Sequence, residues 1–261
     1  MKKKLIILTA ILLICMGLSP NMSAKFPSAD QMLFNSAQGR DFFVAIPPNE
    51  DDRQPYGNTG ELALEIYVTS SKNCTVSLEI PGIGKKITKK VTAFMITTFS
   101  SVQQEISFGL EVRTSEKVLD DKGIWLHADQ PISVYVLNHR NVTADGYLAI
   151  PISACGTDYI HLAYYDLMET NAGGEYRGGG FLICAGEDNT KVNIQLKGVG
   201  GTLAKTLGGH KIGDSWSVTL SKSQVYCVMG DGTTRGQFDI SGSRVTTNKP
   251  VGRLFLFINA C

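Results

Sequence analysis

The sequence predicts an all-β fold made of two related, sandwich-like units packed together, and three observations carry the prediction. No segment keeps helical periodicity for more than about two turns, whereas short runs of Val, Ile, Thr, Tyr and Phe recur between Gly, Asn, Asp and Pro. The 27 glycines supply the tight turns that such a chain needs. The chain also repeats itself: IYVTSSKNCTVSLEI from Ile66 to Ile80 parallels LICAGEDNTKVNIQL from Leu182 to Leu196 at a shift of 116 residues.

Met1 to Ala24 reads as a secretory leader. Lys2, Lys3 and Lys4 form a basic start, Leu5 to Leu18 an apolar run too short to cross a bilayer comfortably, and Met22-Ser23-Ala24 a small-residue cleavage site. Cys15 is preceded by bulky Ile14, which disfavours lipid attachment. Export places the mature chain outside the cytoplasm, secreted or at the cell surface, and the Lys-rich leader has a bacterial look. Cleavage removes three lysines and no acid, so 25 basic side chains become 22 against 24 acidic ones. A near-neutral chain of this kind carries no footprint for nucleic acid, which would need clustered Lys and Arg to displace counterions. Lys85, Lys86, Lys89 and Lys90 do cluster, and read as solubilising charges on a hairpin.

The expected strands are, in order, Asp41 to Ile46, Ala63 to Ser70, Cys74 to Ile80, Lys86 to Val91, Phe94 to Phe99, Gly123 to His127 and Ile132 to Asn138. Tyr147 to Pro151, Tyr159 to Tyr165, Gly180 to Ala185, Lys191 to Leu196, Ser215 to Leu220, Gln224 to Met229, Gln237 to Ser241 and Val251 to Ile258 follow. Val76, Leu78 and Ile80 alternate with Ser77 and Glu79, the pattern of a sheet with one wet face. Asp129-Gln130-Pro131 and Asn248-Lys249-Pro250, 119 apart, each introduce an apolar strand. Asp129 and Asn248 favour a turn, and Pro131 and Pro250 suit a first strand position. Asp145 and Gly146 are the expected hairpin turn between two apolar strands. The leader thus spans 1–24, the first β unit 25–145 and the second 146–261.

Two segments lack apolar periodicity and read as surface loops, Pro47 to Gly60 and Thr170 to Gly180. Their Tyr56, Tyr176 and Arg177 are the candidate ligand contacts, being residue types that often carry interface energy. Five cysteines remain after the leader, spaced too irregularly for a zinc site. Cys184 and Cys227, each inside an apolar strand, are the candidate disulfide pair, provided their Cα separation allows it.

The motifs of catalysis are missing: there is no GxSxG, HExxH or phosphate-binding loop, and the four histidines lack metal-ligand spacing. His127 with Asp129 is the best polar pair and is explained by turn geometry. Glu61 with Glu65, or Glu187 with Asp188, could be proposed as a glycosidase pair, but Glu187-Asp188-Asn189 has the composition of a turn. The acidic run Asn49 to Asp52 lacks the ligand periodicity of a calcium loop. The sequons Asn73-Cys74-Thr75 and Asn141-Val142-Thr143 have meaning only in a host that glycosylates. No catalytic residue, metal or cofactor is assigned.

Taken in order, GRDFFVAIP from Gly39, LEIYVTS from Leu64, KGIWLHADQPISVYVLN from Lys122, TADGYLAIPISACGTDY from Thr143, AGEDNTKVNI from Ala185 and TTNKPVG from Thr246 carry a resemblance. The chain resembles the N-terminal domain family named after the IgG Fc-binding protein, as a bacterial exported member. The resemblance implies an extracellular β-rich binding or adhesion module without a defined catalytic centre, and does not carry IgG over as its ligand. Family members usually continue past the final apolar strand, so this sequence, ending at Cys261, is either a minimal module or a piece of something longer. The leading expectation is therefore a non-enzymatic module that binds a protein or glycan. A structural spacer or assembly domain of a larger surface protein is the alternative, and a carboxylate-dependent glycoside hydrolase a remote one.

Overall fold

The computed structural model describes residues 37–48, 63–139, 144–162, 179–200, 205–231 and 238–256. The strands of the first half are β1 (Gly39–Val44), β2 (Ala63–Thr69), β3 (Cys74–Ile80), β4 (Lys85–Val91), β5 (Thr97–Ser100), β6 (Val118–Leu119), β7 (Ile124–His139) and β8 (Ala144–Leu148). Those of the second are β9 (Asp158–Ile160), β10 (Gly180–Ala185), β11 (Thr190–Gln195), β12 (Val199–Gly200), β13 (Ser215–Leu220), β14 (Val225–Met229), β15 (Phe238–Asp239), β16 (Arg244–Thr247) and β17 (Val251–Leu256). Among the described residues the only helical elements are 3-10 turns at Pro81–Ile83, Phe108–Leu110 and Ile152–Ala154, and the fold is all-β with antiparallel sheets.

In the first half, β7 belongs to two sheets. Its N-terminal part pairs with β3 and β1, its C-terminal part with β2 and β8. The sheets are therefore β4-β3-β7-β1 and β5-β2-β7-β8, and their inner faces meet in one core that includes Phe42, Val76, Leu78 and Leu126 from the first and Leu64, Ile66, Phe99 and Val134 from the second. Burying a side chain of this size contributes roughly 1.5–3 kcal/mol. This geometry corrects two expectations. Asp129 and Pro131 do not form a turn between two strands but lie inside the unbroken β7, at the point where it passes from one sheet to the other. Pro131 has no N–H to donate, so the ladder is interrupted there and the strand bends across the corner. Asp145 and Gly146 likewise lie within β8, paired with Asn138 and Leu137, and do not form the turn between the two strands. The boundary expected between 145 and 146 falls inside that strand.

The second half has the same pairing order. Its strands form β13-β11-β16-β9 and β17-β10-β14, matching β4-β3-β7-β1 and the β7-β2-β5 run strand for strand, and β6 of the first half adds to the β14 edge. Here the corner is made by two strands, β16 and β17, and Asn248 and Pro250 lie in the link between them. The alternation of β11 puts Val192 and Ile194 in the core beside Phe181, Ile183 and Val245. β3 and β11 are in phase at the 116-residue shift, whereas Ile66 of β2 faces the core as Ile183 of β10 does, one residue out of that phase.

A third core joins the halves. Phe43 and Ala45, on and just beyond β1, pack with Val112 against Leu182 and Cys184 of β10 and Val225, Cys227 and Met229 of β14, flanked by Trp125 and Leu119. β10 is thus buried on both faces, which is why GFLICA reads as an unbroken apolar run. Cys184 and Cys227 lie here as free thiols. Cys184 is opposite Val225 and Cys227 opposite Leu182, so the two are diagonal neighbours. Diagonal positions sit about 7–8 Å apart, outside the usual disulfide span of about 4.4–6.8 Å. The candidate pairing is therefore not formed.

Candidate functional site

Tyr56, Tyr176 and Arg177, with most of their two loops, lie outside the described residues, as do the acidic run 49–52, Glu61, residues 141–143 and Cys261. Of the carboxylates weighed for catalysis, Glu187 and Asp188 occupy the β10–β11 turn. Glu187 is exposed and pairs with Lys249 at 3.3 Å, and Asp188 Oδ1 accepts the Lys222 backbone N–H at 2.9 Å. Glu65 lies on β2, where it accepts a hydrogen bond from Tyr67 and another from Ser100 at 3.3 Å. Among the described residues no group of three or more His, Cys, Asp or Glu side chains could hold a metal.

The unusual surface is the outer face of β5-β2-β7-β8. Register places Thr98, Tyr67, Tyr135 and Leu148 in one row across four strands, because Tyr67 lies opposite both Thr98 and Tyr135, and Tyr135 opposite Leu148. Leu137 and Gly146 make the next row, and Ile96 closes the β5 side. Together they line an open groove of about 450 Å³ whose walls are almost entirely apolar. Tyr135 is 46 % exposed and Ile96 70 %. A Cβ at Gly146 would come within 3.1 Å of the Leu137 side chain, so glycine lets that side chain lie flat in the groove. Tyr67 is tied down by its hydroxyl, which donates to Glu65. That bond first, then burial, pushes its pKa up to about 12.

At the rim, Phe94-Met95-Ile96 forms a continuous apolar triplet in the β4–β5 turn, and Phe94 is 80 % exposed. Its φ of 63° lies in the left-handed region, which a bulky side chain seldom occupies. The turn is held from below: Phe94 N–H donates to Ser70 O at 2.8 Å, Ala93 N–H to Asn73 Oδ1 at 2.8 Å and Met95 N–H to Thr92 O at 3.0 Å. A strained backbone holding an exposed phenylalanine is a feature of contact sites. The cluster of lysines on β4 lies on a sheet edge, where Lys86 pairs with Glu79 at 2.6 Å and Lys89 with Glu105 at 2.5 Å.

His127 does not act with Asp129. Its Nδ1 lies 2.7 Å from Asp41 Oδ1, which also accepts Trp125 Nε1–H at 3.1 Å. Lys222 Nζ sits 3.4 Å from the centre of the Trp125 ring, reaching across from the second half. The matching sheet of that half presents a polar outer face, with Ser215, Ser217, Asn193, Gln195, Arg244 and Thr246 around a shallow concavity. Arg244 binds Asp158 through Nε at 2.9 Å and Nη2 at 2.5 Å, and this guanidinium holds the Asp158 carboxyl below its usual range.

Sequence reasoning missed the apolar face. Phe94 to Ile96 was expected within a strand and belongs to a turn. The available signal was in IYV at 66–68 and VYVL at 134–137, where both phases of the alternation are apolar, the mark of a strand with something on each face.

Residues 145–255 match the model of the IgGFc binding protein family. The chain is also 30 % identical over 191 residues to the human IgGFc-binding protein, a match covering 72 % of this chain and 3 % of the human protein. The chain therefore spans only a small fraction of that relative. No solved structure matches it. No helix among the described residues is long and apolar enough to cross a membrane. By these two agreements, over residues 145–255 and over most of the chain, the chain belongs to the IgGFc binding protein family.

Proposed function

We propose that the chain is an exported, non-catalytic module that binds a protein partner through the open outer face of its first sandwich. The observation that carries this is the row of Tyr67, Tyr135 and Leu148 beside the Phe94-Met95-Ile96 rim. These are large apolar side chains gathered on a rigid sheet where a face left to water would be polar. Tyrosine suits a contact surface because it offers much area for little lost rotamer freedom and keeps a polar tip. Family membership supports the reading, since the human relative is named for binding IgG Fc. Only the class of partner, a protein, is carried over to this chain. The leader at 1–24 supports export. The matching strand order of the halves supports their origin as two copies of one β unit. Tyr56, Tyr176 and Arg177 are further proposed contacts.

A photo-crosslinking phenylalanine analogue at Tyr135, and at Ser217 on the polar sheet as control, tests the reading in protein exported from its own host. Protein adducts should form from position 135 and not from 217. Adducts equal at both positions, or none at 135, would contradict it.

A further inference from the structure

We propose that the open face of the first sandwich is occupied by the second sandwich of another copy of the same chain, so that chains join head to tail. This rests on the protein-binding reading and names the partner. It comes from comparing the halves position by position. In the second half, Ser223 has φ 66°, its turn closes with Gln224 N–H to Ser221 O at 3.0 Å, and it is buried with its carbonyl against Gly123 of the first half. Phe94 holds the same place in the same kind of turn in the first half, at φ 63°, and lies open. The core-facing pair Ile183 and Tyr226 matches Ile66 and Phe99, so Cys184 of the second half matches Tyr67 of the first. Cys184 is sealed by β1, whereas the face bearing Tyr67 is uncovered.

The covering surface is also present twice. β1 pairs Asp41 with His127 and Phe43 with Trp125, and β9 pairs Asp158 with Thr246 and Ile160 with Arg244. Phe43 therefore matches Ile160, and two residues on, Ala45 matches Leu162. Phe43 and Ala45 are buried in the core that joins the halves, yet Ile160 is 61 % exposed and Leu162 65 %. Among the described residues, each chain thus has one covering surface in use and one unused, one face covered and one open.

The sizes complement each other. Inside the chain, the small Cys184 packs with the large Phe43 and Trp125, and Gly252, opposite it, admits the Phe43 backbone. Between chains, Tyr67 and Tyr135 stand at the places of Cys184 and Gly252, and Ile160 and Arg244 at those of Phe43 and Trp125. Bulk moves from the covering strand to the covered face, and a planar guanidinium is well suited to stack on tyrosine rings. The contact uses two different surfaces, so it is heterologous and extends into rings or filaments.

Sedimentation velocity on the purified mature chain tests this. The mean mass should rise with concentration for wild type and stay at the monomer for Tyr135→Asp and for Ile160→Asp. An equimolar mixture of the two variants should double in mass and stop, since each keeps the surface the other has lost. Circular dichroism of each variant verifies its fold, and the wild-type series stands without them. A wild type that stays monomeric at every concentration overturns the proposal, as do folded variants that self-associate or whose mixture does not dimerise. If purified wild type is monomeric while crosslinking at Tyr135 in the host still captures a protein, self-association fails and the protein-binding reading stands.

Discussion

Asp129 Oδ1 accepts the backbone N–H of Thr75 at 3.0 Å, across 54 residues of sequence. In the second half, Asn248 Oδ1 accepts the N–H of Lys191 at 2.7 Å in the same way. At each site the residue stands two before a proline, and its side-chain oxygen satisfies the second amide of the neighbouring strand; at Asn248 the backbone N–H also donates to Lys191 O at 3.2 Å. Because Asn does this as well as Asp, Asp129→Asn should leave stability close to wild type. Asp129→Ala should cost about 0.5–1.5 kcal/mol, the net worth of one hydrogen bond. Urea denaturation checks both, and an equal loss for the two variants would contradict the role of the oxygen.

Gly252 is one point of close contact between the halves. A Cβ there would lie 2.0 Å from the Phe43 carbonyl oxygen. Gly252→Ala must push β1 away from β17, and a loss of roughly 1–3 kcal/mol is expected for such overpacking. The thermal midpoint should fall, and Trp125 emission should shift as its contact with Lys222 loosens.

The thiols give a chemical test of the same interface. Burial pushes Cys184 up to about 12 and Cys227 higher still, and Cys155, less enclosed, to about 11. In native protein at mildly alkaline pH, Cys155 should be alkylated before Cys184 and Cys227, which should react only on unfolding. Peptide mapping without reductant should find no Cys184–Cys227 link.

Tyr67 makes stability fall in alkali. Its folded pKa of about 12 lies above the ordinary value of about 10, so the neutral phenol is favoured in the folded state. The stabilisation is fully present below about pH 10 and is lost as pH rises through about 12. Urea midpoints measured across that window should decline, and Tyr67→Phe should decline less steeply.

Much of this was legible in the sequence. The alternation of Val76, Leu78 and Ile80 and of Val192 and Ile194 gave strands and facing correctly, because each has one wet side. Asp129 and Pro131 carried the right chemistry and suggested a turn, since a local reading cannot distinguish a reversal from a strand that changes sheet. β16 was missed because Arg244–Thr247 is polar on its outer face and too short to show a period. The partner of His127, Asp41, is 86 residues away and is set by the pairing of β1 with β7. The apolar face needed the same knowledge: Tyr67, Tyr135 and Leu148 become one surface only when three strands are aligned.

The central claim, that the first sandwich keeps an open apolar face as its contact surface, is tested most directly by hydroxyl-radical footprinting with mass spectrometry at low and high protein concentration. In dilute protein, Phe94, Met95 and Tyr135 should be modified, and Cys184, Cys227 and Met229 protected. On concentration, protection should appear at Phe94, Met95 and Tyr135 together with Ile160 and Leu162. Protection that appears elsewhere, or strong modification of Cys227 and Met229 in dilute native protein, would contradict the account.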